Sequence, residues 1–264
     1  MRLRARLNLP REHGAWAMFY IPFVLGILVG GVFNLSVALL VIAASALFIS
    51  RESLIVVWRS RERGQLNHAA VRLLILYLLT AMAGGLILVL HYRLTGLLWL
   101  GLPGLGLLLL NGRQAVQRED RTIPMEILAI GGMTISAPAA HLVAVGAWTP
   151  LTWWLWVVSI LYFASSVFYV RYRVTSLHGR DPVYRRRVAL ALLLYHLLLL
   201  LALPALIMAG RLAIWILPAF LPVISRALLH YHRPPPGLNL RQIGLHEVWY
   251  SLLFLTFATL AFRP

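Results

Sequence analysis

The residues able to do chemistry in this chain are few and strongly biased. In 264 residues there are eight Asp and Glu, nine His, no Cys, and 24 basic residues, every one of them Arg. The densest group is Arg11-Glu12-His13, which runs straight into Gly14-Ala15-Trp16-Ala17-Met18 and a long apolar stretch. Charge beside hydrocarbon is costly, so such a triplet is either a surface anchor or part of a site. An anchor has no need of Glu12.

Arg51 and Glu52 form a second group. If their helix continues to Trp58, they lie about two turns inside a border marked by Arg59. Adjacent helical residues stand about 100° apart, so Arg51 and Glu52 are not expected to pair well, whereas Glu52 and Arg59 share a face. The alternative is a helix that ends near Ser50 and leaves the pair in solvent. Glu126 falls one turn inside a helix opened by Arg121-Thr122-Ile123-Pro124, where the helix dipole favours a carboxylate. Pairing with an Arg from another helix end is the functional alternative. Arg171 and Arg173 close the run Tyr169-Val170-Arg171-Tyr172-Arg173. His196 lies alone within an apolar stretch, and a lone His there is expected to bond to a neighbour rather than relay protons.

Guanidinium groups bind phosphate through planar forks, so this residue set favours an anionic ligand. It does not favour a metal, because hard cations want clustered carboxylates and thiolates are absent. No cofactor is expected. His13 or Glu52 has the chemistry of a general acid or base, but no nucleophile stands out, and whether any reaction is catalysed stays open.

Helices must position these side chains. The chain is 61% hydrophobic with a mean hydropathy of +0.81, well beyond a soluble domain. An all-α, polytopic membrane protein is expected. Nine stretches approach the length of a span: 14–33, 35–58, 69–91, 94–111, 123–147, 150–171, 188–209, 211–229 and 244–262. They make residues 1–264 a single integral membrane domain. The Arg-rich start precedes an apolar run but no small-residue cleavage site, so it is read as a retained helix rather than a signal peptide. The net charge of +16 resides in short loops, which points to anionic lipid head groups and excludes nucleic acid as the partner.

With a cytoplasmic N-terminus, 21 Arg fall on the cytoplasmic side and only Arg93, Arg211 and Arg263 outside. That orientation puts the C-terminus outside the cell membrane and all eight acidic residues at cytoplasmic helix ends. A repeat offset of about 110 residues relates Arg11 to Arg121 and Val57–Arg61 to Tyr169–Arg173. It predicts parallel halves of four spans, about 11–111 and 121–229, with the last helix, 244–262, added.

His13–Met18 followed by Pro22 and Gly26, Arg121 with Glu126, and Ser166-Val167-Phe168-Tyr169-Val170-Arg171 resemble the YwiC-like family of bacterial membrane proteins over nearly the whole chain. More distantly, nine spans in a 4+4+1 layout, with Arg121-Thr122-Ile123-Pro124, are similar to the UbiA superfamily of intramembrane prenyltransferases. That resemblance implies Asp-rich motifs at the ends of the second and sixth helices, where Mg²⁺ bridges to an isoprenoid diphosphate. Those places read Arg51–Arg61 and Tyr169–Ser176 here, without an Asp.

The expectation is therefore a UbiA-like bundle in the bacterial inner membrane that binds an isoprenoid or lipid phosphate without metal. Arg51, Arg59 and Arg171, with Arg173 nearby, would grip the head group, and Glu12, Glu52 and Glu126 would orient the guanidinium groups. A non-catalytic subunit or assembly factor is the alternative. Its small-residue faces (Gly14, Pro22, Gly26 and Gly30; Gly132, Ser136 and Ala140) would then meet a membrane protein partner. A transporter fits least, since acidic residues are missing from mid-membrane.

Overall fold

The structure, a computed structural model, describes residues 8–10, 13–117, 122–179, 181–233, 235, 237 and 240–263. Among them every regular element is helical: α1 (His13–Gly30), α2 (Leu35–Glu62), α3 (His68–Leu86, continuing as a π-turn through His91), α4 (Leu98–Gln117), α5 (Ile123–Thr134), α6 (Ser136–Val145), α7 (Pro150–His178), α8 (Pro182–Met208), α9 (Ile216–His232) and α10 (Leu240–Phe262). Among the described residues seven segments are long and apolar enough to cross a bilayer, α5 and α6 together counting as one. The chain is a membrane protein. The α1 and α9 helices are the short members, at 18 and 17 residues.

Polar loop residues start the helices. Asn34 accepts from the Val37 N–H at 3.0 Å, Asn67 from Ala70 at 3.0 Å and Asp181 from Val183 at 2.9 Å, each satisfying a backbone donor that the first turn leaves open. The α5–α6 segment bends at Ile135. Pro138 has no N–H to offer the Thr134 carbonyl, so the regular ladder breaks there.

The chain divides into two compact units, Met1–Trp156 and Val157–Pro264. In lipid the hydrophobic effect does not draw helices together, and close van der Waals contact takes over. In the first unit that contact is made by small residues. A Cβ on Gly26 of α1 would lie 2.9 Å from the Ala140 Cβ of α6, and one on Gly84 of α3 would lie 2.8 Å from the Ala43 Cβ of α2. Phe19 of α1 stacks on Phe48 of α2 at 4.6 Å, with Trp16 edge-on to Phe48 at 5.3 Å. The Ser136 hydroxyl donates to the Phe19 carbonyl at 2.8 Å.

In the second unit aromatic rings fill the interior. Tyr162 of α7 stacks on Phe254 of α10 at 4.0 Å, and Phe168 stacks on Tyr195 of α8 at 4.4 Å. His196 is fully buried. One ring nitrogen meets the Leu192 carbonyl at 2.8 Å and the other meets the Ser165 hydroxyl at 2.8 Å. Both ring nitrogens are engaged locally, as expected of a lone intramembrane His.

Candidate functional site

The predicted residues fall in different surroundings. Arg11, Glu12 and Arg121 lie outside the described residues, and His13 is the first residue of α1. The segment just before them rests on α2: Asn8 donates to the Ser53 hydroxyl at 3.4 Å, and the Trp16 indole N–H reaches the Pro10 carbonyl at 3.1 Å.

The α2 helix does not stop near Ser50. It runs to Glu62 and carries Arg51 and Glu52 within it. These two do pair, contrary to the expectation from their angular separation. Arg51 Nη1 donates to Glu52 Oε1 at 2.7 Å, with about a quarter of each side chain exposed. The physical reason is reach: a long, flexible Arg stem spans the angle that its Cβ cannot. Arg59 does not meet Glu52. It donates to the Ala115 carbonyl at 2.6 Å, in the last turn of α4, where carbonyls lack helical partners. Glu126 is partly buried in the first turn of α5.

The Arg-rich ends of α2 and α4 meet closely. A Cβ on Gly112 would come within 2.9 Å of the Trp58 ring. Beside this contact an open cavity of about 490 Å³ is lined by Trp58, Arg61, Glu62, Arg113 and Val116. Two guanidinium-bearing residues, Arg61 and Arg113, thus stand beside one indole, with Arg59 its neighbour in sequence. Sequence reading singled out only Arg59 of these. The omitted signal was the pattern of Trp58 and Arg61 three residues apart, neighbours on one helix face.

In the second unit the sequence placed interest on Arg171 and Arg173, and the structure separates them. Half-buried Arg171 reaches the Tyr184 hydroxyl of α8 at 3.5 Å. Arg173 is only 2% exposed. Its Nη2 donates to the Pro235 and Gly237 carbonyls at 3.0 and 2.6 Å. Pro235 and Gly237, between α9 and α10, therefore supply its acceptors.

Next to Arg173 is a polar cluster that sequence reading did not assemble. Arg226 of α9 is 6% exposed and pairs through Nη1 with Glu247 Oε1 of α10. The other oxygen of Glu247 accepts from the Ser166 hydroxyl of α7. Tyr169 lies beneath the Arg226 guanidinium, 3.8 Å from ring centroid to Cζ, and its hydroxyl meets His230 Nδ1 at 2.6 Å. Tyr250 flanks the guanidinium at 5.1 Å. A spacing signal was present. Tyr162, Ser166, Tyr169 and Arg173 recur at intervals of four, three and four, which draws a polar line down one face of α7. Among the described residues no three of His, Asp and Glu gather as a metal site would need. The chemistry on offer is that of guanidinium and hydroxyl donors.

A family model described as YwiC-like protein matches residues 9–141. The uncharacterized protein YwiC of Bacillus subtilis (strain 168) is 26% identical over 247 residues, covering 94% of this chain and 95% of its own length. No solved structure matches.

Proposed function

The chain belongs to the YwiC-like protein family, and from that premise we propose that it holds the phosphate of an isoprenoid or other membrane lipid at its Arg-rich, cytoplasmic helix ends. The observation that carries this reading is the open cavity between the ends of α2 and α4, where Arg61 and Arg113 stand beside Trp58. Guanidinium forks suit phosphate oxygens. An indole at the membrane interface suits the boundary between head group and acyl chain. Arg51 is already neutralised by Glu52, and Arg59 already serves a helix carbonyl. The grip therefore passes from Arg51 and Arg59 to Arg61 and Arg113. The reading assigns binding and no reaction.

The test is to purify the protein in mild detergent and identify bound lipid by mass spectrometry. A phosphate-bearing lipid should be enriched over its share of the membrane, and the Arg61→Gln/Arg113→Gln double variant should lose that enrichment. The same bulk lipid mixture from both proteins overturns the reading. A single stoichiometric protein partner on cross-linking in native membranes would instead favour a membrane subunit or assembly factor.

A further inference from the structure

We infer that the second unit contains a separate, buried oxyanion site of the phosphate class, held by Arg226 and Arg173. It goes beyond the lipid-binding cavity and rests on other residues. Arg173 and Arg226 are two buried cations, and Glu247 is the one acid bonded within their cluster. Both oxygens of Glu247 are taken, by Arg226 and by Ser166, so Arg173 has no share in it. The carbonyls of Pro235 and Gly237 give Arg173 partners but no countercharge. Among the described residues, one positive charge is left over in a place shielded from water.

Geometry then narrows the ligand. On Arg226, Tyr169 and Tyr250 lie by the guanidinium and Glu247 takes Nη1. The atoms left are Nε and Nη2, both buried and without an acceptor. Those two N–H groups lie on one edge of the guanidinium and point the same way, which is the fork that takes two oxygens of one anion. Arg173 has Nε and Nη1 buried and without an acceptor, on different edges of its guanidinium, so it offers single donors rather than a second fork. Buried donors left unmade cost free energy that natural proteins rarely leave standing. A neutral water would accept a hydrogen bond and leave the charge. A carboxylate would fill one fork and leave the second Arg. A phosphate group has the oxygens for both and supplies the missing negative charge. The same chemistry describes free inorganic phosphate and the head group of a lipid phosphate.

The experiment follows thermal unfolding of the full chain in mild detergent. One arm adds inorganic phosphate, with chloride at matched ionic strength as control. A second adds a short-chain phosphatidic acid, with the matching phosphatidylcholine as control. Wild type should show a saturable rise in Tm in at least one arm. Response to inorganic phosphate identifies a free anion, and response to phosphatidic acid alone identifies a head group. Arg226→Lys keeps the charge and the partner for Glu247 but removes the fork, so half-saturation should move up at least about tenfold. Arg173→Gln, which removes the charge and the Nη donors, should weaken the response in the same direction and serves if Arg226→Lys does not fold. In an Arg61→Gln/Arg113→Gln background, which removes the cavity's own contribution, a saturable response should remain and Arg226→Lys should still shift it. No rise in either arm overturns the site, as does an unchanged half-saturation in the Arg226 and Arg173 variants. A response lost only in the Arg61/Arg113 double variant overturns it as well, since the anion would then belong to the cavity.

Discussion

Glu247 binds one hydroxyl and one guanidinium, and each contact gives it a different role. Removing it strands Arg226 with no acid bonded to it in a setting that is 6% exposed. Breaking one side of a buried pair typically costs about 3–5 kcal/mol, mostly because the remaining charge is left uncompensated. Glu247→Ala should therefore lower the unfolding midpoint sharply in detergent. Glu247→Gln, which keeps a carbonyl acceptor for Ser166 or Arg226, should lose less. Equal midpoints for Glu247→Ala and wild type would mean the pair contributes nothing. At this scale the sequence was partly legible. It named Arg51, Glu52 and Arg173 as candidate ligand-binding residues, whose partners in the structure are each other and turn carbonyls, and it expected His196 to be bonded to a neighbour, as it is. It did not show that Arg51 and Glu52 hold each other, because angular spacing ignores the reach of a long side chain. Nor did it separate Arg171 from Arg173: both sit near the end of an apolar run, and only tertiary packing buries Arg173 fully and Arg171 in part.

Helices in lipid associate by fit, and two adjacent glycines on α3 offer a controlled comparison. Gly84 faces Ala43 of α2, where a Cβ would come within 2.8 Å, while Gly85 faces open space. Gly84→Val should destabilise by about 1–3 kcal/mol through overpacking. Gly85→Val should be near neutral, and unfolding midpoints of the two variants read the difference. A similar loss in both would assign the effect to valine in the helix rather than to the α2–α3 contact. Elements were the most legible level of this chain. Each of the nine expected stretches overlaps one α-helix or, at 123–147, a bent pair, and the bend falls three residues before Pro138. The ends were less legible. The α2 helix runs four residues beyond position 58 to Glu62, and α7 runs to His178 rather than 171. Hydropathy falls as soon as Arg appears, yet Arg is a good helix former, so the hydrogen-bond ladder continues past the apolar run.

For the whole molecule, the distribution of Arg predicts a cytoplasmic N-terminus. A chain with no native Cys lets this be checked with single introduced thiols. Gln65→Cys, in the loop after α2, should react only when a membrane-impermeant reagent reaches the cytoplasmic face. Ala147→Cys, in the loop before α7, should react from outside in intact cells. The reverse pattern would invert the topology. One further consequence belongs to biogenesis. Alone, the 17-residue α9 is a poor candidate for insertion: at ~1.5 Å per residue it reaches about 25 Å, short of a ~30 Å hydrocarbon core. It also carries Arg226, and an Arg within a span costs about 2.5–3.5 kcal/mol on insertion scales. Its acidic partner, Glu247, is 21 residues downstream, so it is synthesised only after α9 has emerged. The last two helices are thus built to enter the bilayer together as a hairpin, its turn gathered by the guanidinium of an Arg173 already waiting in α7.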